Sequence, residues 1–233
     1  MKKLMFLMLV GGLLVGASQA GIIMGGTTAN GNLDTGTPYS GWTTAVPGDK
    51  FYLTAGTVGQ NAYMGGWTVT RTRYYGGNNT IGFNDTGDLC SGTGDMVAFA
   101  NSSDIDLQSD SVAVALSAGE TLTISFAYAG GADDLVNNYD SRFTATAILI
   151  FDGGAATHTF TTTPEVDATN GAQSFSESVV LAANYSSVVV KIEMRNPGYG
   201  RAGFVDDVVL SSVPEPATMI LLGLGGLLLR RRK

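Results

Sequence analysis

One segment of the chain combines arginines and aromatic rings in a pattern that could bind an extended ligand. In WTVTRTRYY the alternate residues are Trp67, Val69, Arg71, Arg73 and Tyr75. Because side chains alternate between the two faces of a strand, these five would share one face. If that face is exposed, we predict that Trp67, Arg71, Arg73 and Tyr75 bind a ligand. The two arginines would bind its anionic groups, such as carboxylates or sulfates. The alternative is that Trp67 and Val69 are core residues and the arginines pair with local acids.

Two adjacent acids, Asp206 and Asp207, lie in the segment GFVDDVVLSS. In a strand these two side chains would face opposite sides, so one of them would point inward. A buried carboxylate is costly unless a cation or hydrogen bonds satisfy it. The pair therefore belongs either to a cation site or to a hydrogen-bonded strand end.

The sequence offers little that could support catalysis. It contains one histidine, His158, which excludes a metal centre built from several histidines. It has no nucleophile-elbow pattern. Glu165, Glu177 and Glu193 could in principle supply a glycosidase pair, although their positions are typical of solvent-facing strands and loops. We expect no enzymatic activity, with a glycan-active enzyme as the alternative.

Short strands must position these residues, because alternating segments bounded by Gly, Asn, Asp or Pro recur along the chain. The 32 glycines in 233 residues are about twice the ordinary share, and no long segment outside the two ends has helical periodicity. The single cysteine, Cys90, cannot form an intramolecular disulfide. The pattern predicts an all-β protein with one jelly-roll β-sandwich over residues 21–212.

The first twenty residues have the order of a secretory signal peptide. Two lysines, Lys2 and Lys3, precede an apolar run, and small residues end at Ala20. This order predicts cleavage after Ala20 and export of the rest. A buried N-terminal helix is the alternative.

The C-terminal end, VPEPATMILLGLGGLLLRRRK, contains an apolar run over residues 217–229. As a helix this run would be roughly 20 Å long, which is short of the ~30 Å hydrocarbon core of a bilayer. The four bases after it would remain on the cytoplasmic side. The segment is predicted to be a short transmembrane anchor or a sorting signal, with a core helix as the alternative.

The order of these parts resembles the PEP-CTERM sorting signal of exported bacterial proteins. The residues that carry the resemblance are Val213, Pro214, Glu215, Pro216, Ala217 and Thr218, followed after the apolar run by Arg230, Arg231, Arg232 and Lys233. The resemblance implies recognition by an exosortase, a membrane-embedded transpeptidase-like enzyme. It also implies delivery from the membrane to the cell surface or an extracellular matrix, and it gives these residues no catalytic role.

Three further segments resemble carbohydrate-binding modules with a jelly-roll fold. They are residues 30–34 with Gly41-Trp42-Thr43, residues 116–126, and residues 203–210. The resemblance implies the fold and, as a further step, contact with polysaccharide. It also implies a structural Ca²⁺ held by Asp34 with Asp206 and Asp207, since calcium prefers carboxylate and carbonyl oxygens.

The distribution of charge limits the partners. Six of the thirteen bases and one of the twenty acids, Glu215, lie in the two terminal segments, which leaves seven bases against nineteen acids, a net charge of −12. So acidic a chain is not expected to bind nucleic acid, which requires a basic face. We therefore expect an exported, non-catalytic surface or matrix protein. The alternatives are a secreted glycoside hydrolase or lyase and a purely structural coat component.

Overall fold

The computed structural model describes residues 21–25, 50–54, 58, 61–64, 66–75, 80–84, 97–101, 103–132, 143–166, 171–195 and 201–213. The predicted signal peptide, Asp34 and the sorting residues from Pro214 onward lie outside these ranges.

The described chain is built from fourteen strands and one short 3-10 helix at Asp152–Gly154. The strands are β1 (Gly21–Met24), β2 (Lys50–Thr54), β3 (Asn61–Met64), β4 (Trp67–Tyr74), β5 (Thr80–Asn84), β6 (Val97–Asn101), β7 (Ser103–Ser109), β8 (Val112–Leu116), β9 (Thr121–Ala132), β10 (Thr144–Phe151), β11 (Ala156–Thr159), β12 (Gln173–Val180), β13 (Tyr185–Arg195) and β14 (Arg201–Val213).

These strands form two antiparallel sheets. The first has the order β12-β9-β14-β6-β5-β2, and β1 also pairs with β14. The second has the order β11-β10-β13-β7-β4-β3, and β8 also pairs with β13. The expected all-β sandwich is therefore confirmed.

The hydrophobic core lies between the two sheets because the strands alternate apolar and polar residues. In β10 the buried residues are Ala145, Ala147, Leu149 and Phe151, and the residues between them are partly exposed. The facing sheet contributes buried side chains such as Leu122. Burying a large apolar side chain contributes about 1.5–3 kcal/mol to folding, so this alternation fixes which face of each strand points inward.

The closing strand β14 lies inside the first sheet and is paired on both edges. It pairs with β9 from Arg201, opposite Ala132, to Val213, opposite Thr121. On its other edge it pairs with β6 and, near its end, with β1, where Gly21 lies opposite Ser212. The last residue before the Pro-Glu-Pro sequence is thus still part of the sheet.

One glycine of β14 is required by the core packing. Gly203 is buried, and a methyl group added at its Cα would overlap the ring of Phe143. Phe143 is itself fully buried. The ring therefore packs directly on the backbone of the closing strand, and no larger residue fits there without a shift.

We predict that Gly203→Ala destabilises the folded sandwich by about 1–3 kcal/mol, as overpacking of a core does. Urea denaturation of the protein measures the change. Gly21→Ala is the matched control, because its added methyl would lie 3.6 Å from the Ser212 hydroxyl, an ordinary contact. Combining Gly203→Ala with Phe143→Leu should cost less than the sum of the two single changes. Strict additivity would show that the ring does not pack on this glycine.

Candidate functional site

A β-bulge in β4 divides the face that the sequence predicted. Arg71 lies opposite Ile105, but Arg73 lies opposite Asp104, so Thr72 is an extra residue. A bulge of this kind shifts the alternation of the strand. The prediction that Trp67, Val69, Arg71, Arg73 and Tyr75 share one face is therefore wrong.

The bulge places the first three of these residues in the core. Trp67, Val69 and Arg71 are all 0% exposed, so none of them can contact a ligand on the outer surface of the sandwich. Arg73 is exposed and Tyr75 is partly exposed. Of the predicted ligand-binding set, only these last two remain available.

Arg73 and Tyr75 form a small cluster with Asp104 of β7. The Tyr75 hydroxyl donates a 3.1 Å hydrogen bond to Oδ2 of Asp104, and the Arg73 guanidinium lies 4.8 Å from the centre of the Tyr75 ring. Burial raises the pKa of the Tyr75 phenol, and the charge and hydrogen bond of Asp104 raise it further. The positive charges of Arg73 and Arg195 oppose this shift. The phenol is thus held as a hydrogen-bond donor.

A charge network adjoins this cluster on the outer surface of the second sheet. Asp106 of β7 lies directly opposite Glu193 of β13, and two like charges in such a pair repel. Lys191 offsets the repulsion, because its Nζ lies 2.7 Å from Asp106 and 2.9 Å from Glu193. Arg195 offsets it too, because its Nη1 lies 3.1 Å from Asp106 and its Nη2 lies 2.8 Å from Glu193. Each carboxylate is therefore bracketed by two cations.

The hydrogen bonds of the network also affect Lys191. Partial burial alone would lower the pKa of its ammonium group, but the hydrogen bonds to Asp106 and Glu193 outweigh burial and raise it. Arg195 in addition donates to the backbone carbonyl of Ile105 at 3.0 Å. These contacts hold the long side chains against the sheet.

We call this surface the polar face. It consists of Arg73, Tyr75, Asp104, Asp106, Lys191, Glu193 and Arg195. Its three cations balance its three carboxylates, and its donors and acceptors have fixed positions. Such an array can bind hydroxyl groups. The sequence analysis missed the β7 and β13 members, although the alternation in KIEMR placed Lys191, Glu193 and Arg195 on one side.

A second bulge lies in the closing strand, at the predicted acidic pair. Asp206 lies opposite Ala127 and Val209 lies opposite Ser125, so the register shifts between them. Asp206 is 2% exposed, and its Oδ1 accepts the Asp207 amide hydrogen at 2.7 Å. Asp207 has a φ of 49°, in the left-handed region. As expected, one acid of the pair is buried.

The bulge opens a cleft of about 610 Å³ on the first sheet. Its lining combines hydroxyl groups, an amide, one carboxylate and apolar residues that include two phenylalanines: Ser125, Phe126, Ala127, Ala172, Gln173, Ser174, Phe175, Ser176, Asp207 and Val209. Among the residues that the structure describes, no three His, Cys, Asp or Glu side chains come together to hold a metal ion. Asp34, the third residue of the predicted calcium site, lies outside the described ranges.

Two of the acids considered for catalysis, Glu177 and Glu193, lie on different sheets. Glu193 belongs to the polar face of the second sheet, whereas Glu177 lies on β12 of the first sheet and accepts the Thr161 amide hydrogen at 3.0 Å. The ring of His158 packs edge-on against Phe160, with 4.6 Å between the ring centres.

The closing strand leads directly into the C-terminal segment. Residues 212–233 match the PEP-CTERM protein-sorting motif, so the motif begins within the last two residues of β14. The motif implies export, processing by an exosortase and sorting to the cell surface. Within the described ranges, no helix has the length and hydropathy required to span a bilayer.

Comparison with solved structures gives distant similarities. A cyclase from Fischerella sp. TAU matches with 12% identity and a TM-score of 0.46, over 84% of this chain and 99% of the cyclase. The CBM22-1 xylan-binding domain of Paenibacillus barcinonensis Xyn10C matches with 11% identity and a TM-score of 0.44. This match covers 85% of the present chain and 98% of the xylan-binding domain.

The enzymatically active domain of bacteriophage CBA120 tailspike protein 4 matches with 8% identity and a TM-score of 0.44. This match covers 64% of the present chain but only 19% of the tailspike chain. No curated protein matches the sequence. The strand register, and not these similarities, establishes the sandwich fold.

Proposed function

We propose that the protein is an exported, non-catalytic component of the cell surface or extracellular matrix that contacts extracellular polysaccharide through its polar face. The observation that supports this most directly is the PEP-CTERM motif at residues 212–233, which follows the closing strand without a linker. An exosortase is then the processing partner. The folded sandwich is the part that works outside the membrane.

We further propose that the sandwich is a jelly roll, preceded by a cleaved signal peptide and followed by a short membrane helix. Consecutive strands change sheet at β2/β3, β4/β5, β6/β7, β8/β9, β9/β10, β11/β12, β12/β13 and β13/β14. Repeated crossing of the chain between two sheets is typical of jelly rolls. Before sorting, the apolar run at residues 217–229 would anchor the protein in the membrane.

The polar face is suited to a neutral, hydroxyl-rich polymer. Two of its three cations, Lys191 and Arg195, already form ion pairs with Asp106 and Glu193, so an anionic polymer would have to compete with these carboxylates for them. Fixed polar groups beside an aromatic ring provide orientation and contact area for a ligand. This refines the expectation, based on the arginines alone, of an anionic ligand.

A glycan-active enzyme is the alternative, and two features argue against it. On the polar face, Asp106 and Glu193 both form ion pairs with Lys191 and Arg195. Glu177 and Glu193 lie on different sheets, whereas a glycosidase needs two carboxyl groups ~5–9.5 Å apart across the scissile bond.

We predict that Tyr75→Ala and Arg73→Ala each weaken polysaccharide binding at least about fivefold, a loss of ~1 kcal/mol. Affinity electrophoresis of residues 21–213 in gels that contain extracellular polysaccharide from the producing bacterium measures the binding. Soluble xylan and β-glucan serve as comparison polymers.

Thr157→Ala, at an exposed position of β11, is the matched control and should bind normally. New reducing ends after prolonged incubation would favour the enzyme alternative. Unchanged binding by both polar-face variants would refute the proposed role of this face.

We also propose a structural calcium ion at the bulge of β14, with Asp206 as its ligand from the described residues and Asp34 as a ligand from the N-terminal segment. Carboxylate oxygens are ligands that calcium prefers. The support is that Asp206 is almost fully buried in a strand whose register shifts at that point.

After chelation, added calcium should raise the melting temperature. A hundredfold excess over the Kd stabilises a protein by ~2.7 kcal/mol, which corresponds to about 5–10 °C for a domain of this size. Asp206→Asn should abolish the rise, whereas Asp110→Asn, at an exposed position, should preserve it. A rise that survives Asp206→Asn, or no rise in the unsubstituted protein, would remove this site.

A further inference from the structure

Two exposed valines lie in one row across the end of the first sheet. Val180 of β12 lies opposite Thr121 of β9, and Thr121 lies opposite Val213 of β14. Residues directly opposite each other in a ladder point to the same face. Val180 is 63% exposed and Val213 is 42% exposed. Both therefore point outward at the edge of the sandwich where the chain leaves β14.

The next row adds a third apolar residue to the same surface. Ile22 of β1 is 62% exposed and lies opposite Ser211, two residues before Val213. Diagonal neighbours of this kind are ~7–8 Å apart. Ser211 pairs in turn with Thr123, which pairs with Ser178. These two rows contain no charged residue.

We call Ile22, Val180 and Val213 the apolar rim. They are three of the four large apolar side chains that are exposed among the described residues. Isolated apolar residues on a surface need no explanation. Three of them on one face, at one end of the sandwich and next to a membrane-directed segment, do call for one.

The chain length after Val213 fixes how far this rim can lie from lipid. Three residues separate Val213 from Ala217, where the apolar run begins, and the four extended steps between their Cα atoms span at most ~14 Å. The polar headgroup layer on each side of a bilayer is about 5–8 Å thick. If the apolar run is in the membrane, the end of β14 must lie in or just above the headgroup layer.

The N-terminal strand enters the sandwich at the same point. Gly21 lies opposite Ser212, so the chain reaches β1 from residue 20 beside the place where it leaves β14. Before signal-peptide cleavage, the apolar run of the signal peptide and the apolar run at residues 217–229 would therefore both be joined to the same end of the sandwich. The uncharged hydroxyl rows around the rim are compatible with the headgroup layer.

We propose that the apolar rim rests in the headgroup layer of the lipid bilayer while the sorting segment is still inserted. The occupant of this surface is lipid, and the sandwich is docked on the membrane with a fixed orientation. This inference rests on the proposed function, because it requires insertion of residues 217–229. It adds an interaction surface that the sorting motif itself does not contain.

The test uses the full chain in liposomes of phosphatidylethanolamine and phosphatidylglycerol, with no exosortase present. A fluorophore is attached to Val180→Cys, and in a second protein to Ser174→Cys, both in a Cys90→Ser background. Both positions are exposed and lie on the same strand and face. Six residues, ~20 Å, separate them. Ile22→Cys provides a second rim position and Val58→Cys, an exposed position outside the rim, a second control.

We expect a lipid with a quencher at a shallow depth to quench the labels at positions 22 and 180 at least about threefold more than those at 174 and 58, because only the rim would reach the depth of the headgroups. Iodide in solution should instead quench the labels at positions 174 and 58 more than those at 22 and 180. If Cys90→Ser lowers the melting temperature, a photocrosslinking residue at 180 or 174 in the unaltered background tests the same contact through crosslinks to phospholipid.

Two failures can be told apart. If the full chain does not float with the liposomes, its C-terminal segment is not inserted, and both the proposed anchoring and this inference are wrong. If it floats but iodide quenches positions 180 and 174 equally, lipid contact at the rim is overturned and the proposed function is unaffected.

Discussion

The structure depends on the pairing of β14 inside the first sheet. This strand is the last described element of the chain, yet it forms ladders with β9 on one edge and with β6 and β1 on the other. The sheet is complete only when this final strand has joined it. The sorting motif starts at Ser212, within the paired strand, so the folded domain and the motif share Ser212 and Val213.

Two bulges decide which side chains the sandwich presents. In β4 the extra residue Thr72 leaves Arg71 in the core and turns Arg73 outward. In β14 the shift after Asp206 buries that carboxylate and places Asp207 at the cleft. Each bulge breaks a regular strand at a charged residue, and each creates a surface with donors and acceptors. The candidate sites are thus products of local irregularity in a regular fold.

The sequence predicted the parts of the structure that depend on local pattern. Alternation in RFTATAILIFD and SSVVVKIEM predicted strands, which the structure has at Thr144–Phe151 and Tyr185–Arg195, and the C-terminal motif was evident from the order of its residues. The polar face could not be predicted, because Asp106 and Lys191 meet only through the pairing of β7 with β13. Strict alternation also failed after Arg71, because the extra residue Thr72 shifts the strand and turns Arg73 outward.

The account requires that the protein function beyond the membrane after its C-terminal signal has been read. The most direct measurement is the intact mass of the protein recovered from outside the producing cells, compared with that of a variant in which Pro214, Glu215 and Pro216 are all alanine. The account predicts that the extracellular protein lacks the basic tail, and that the variant stays with the membrane at full length. Extracellular protein that ends at Lys233, or a variant exported and trimmed like the unsubstituted chain, would contradict it.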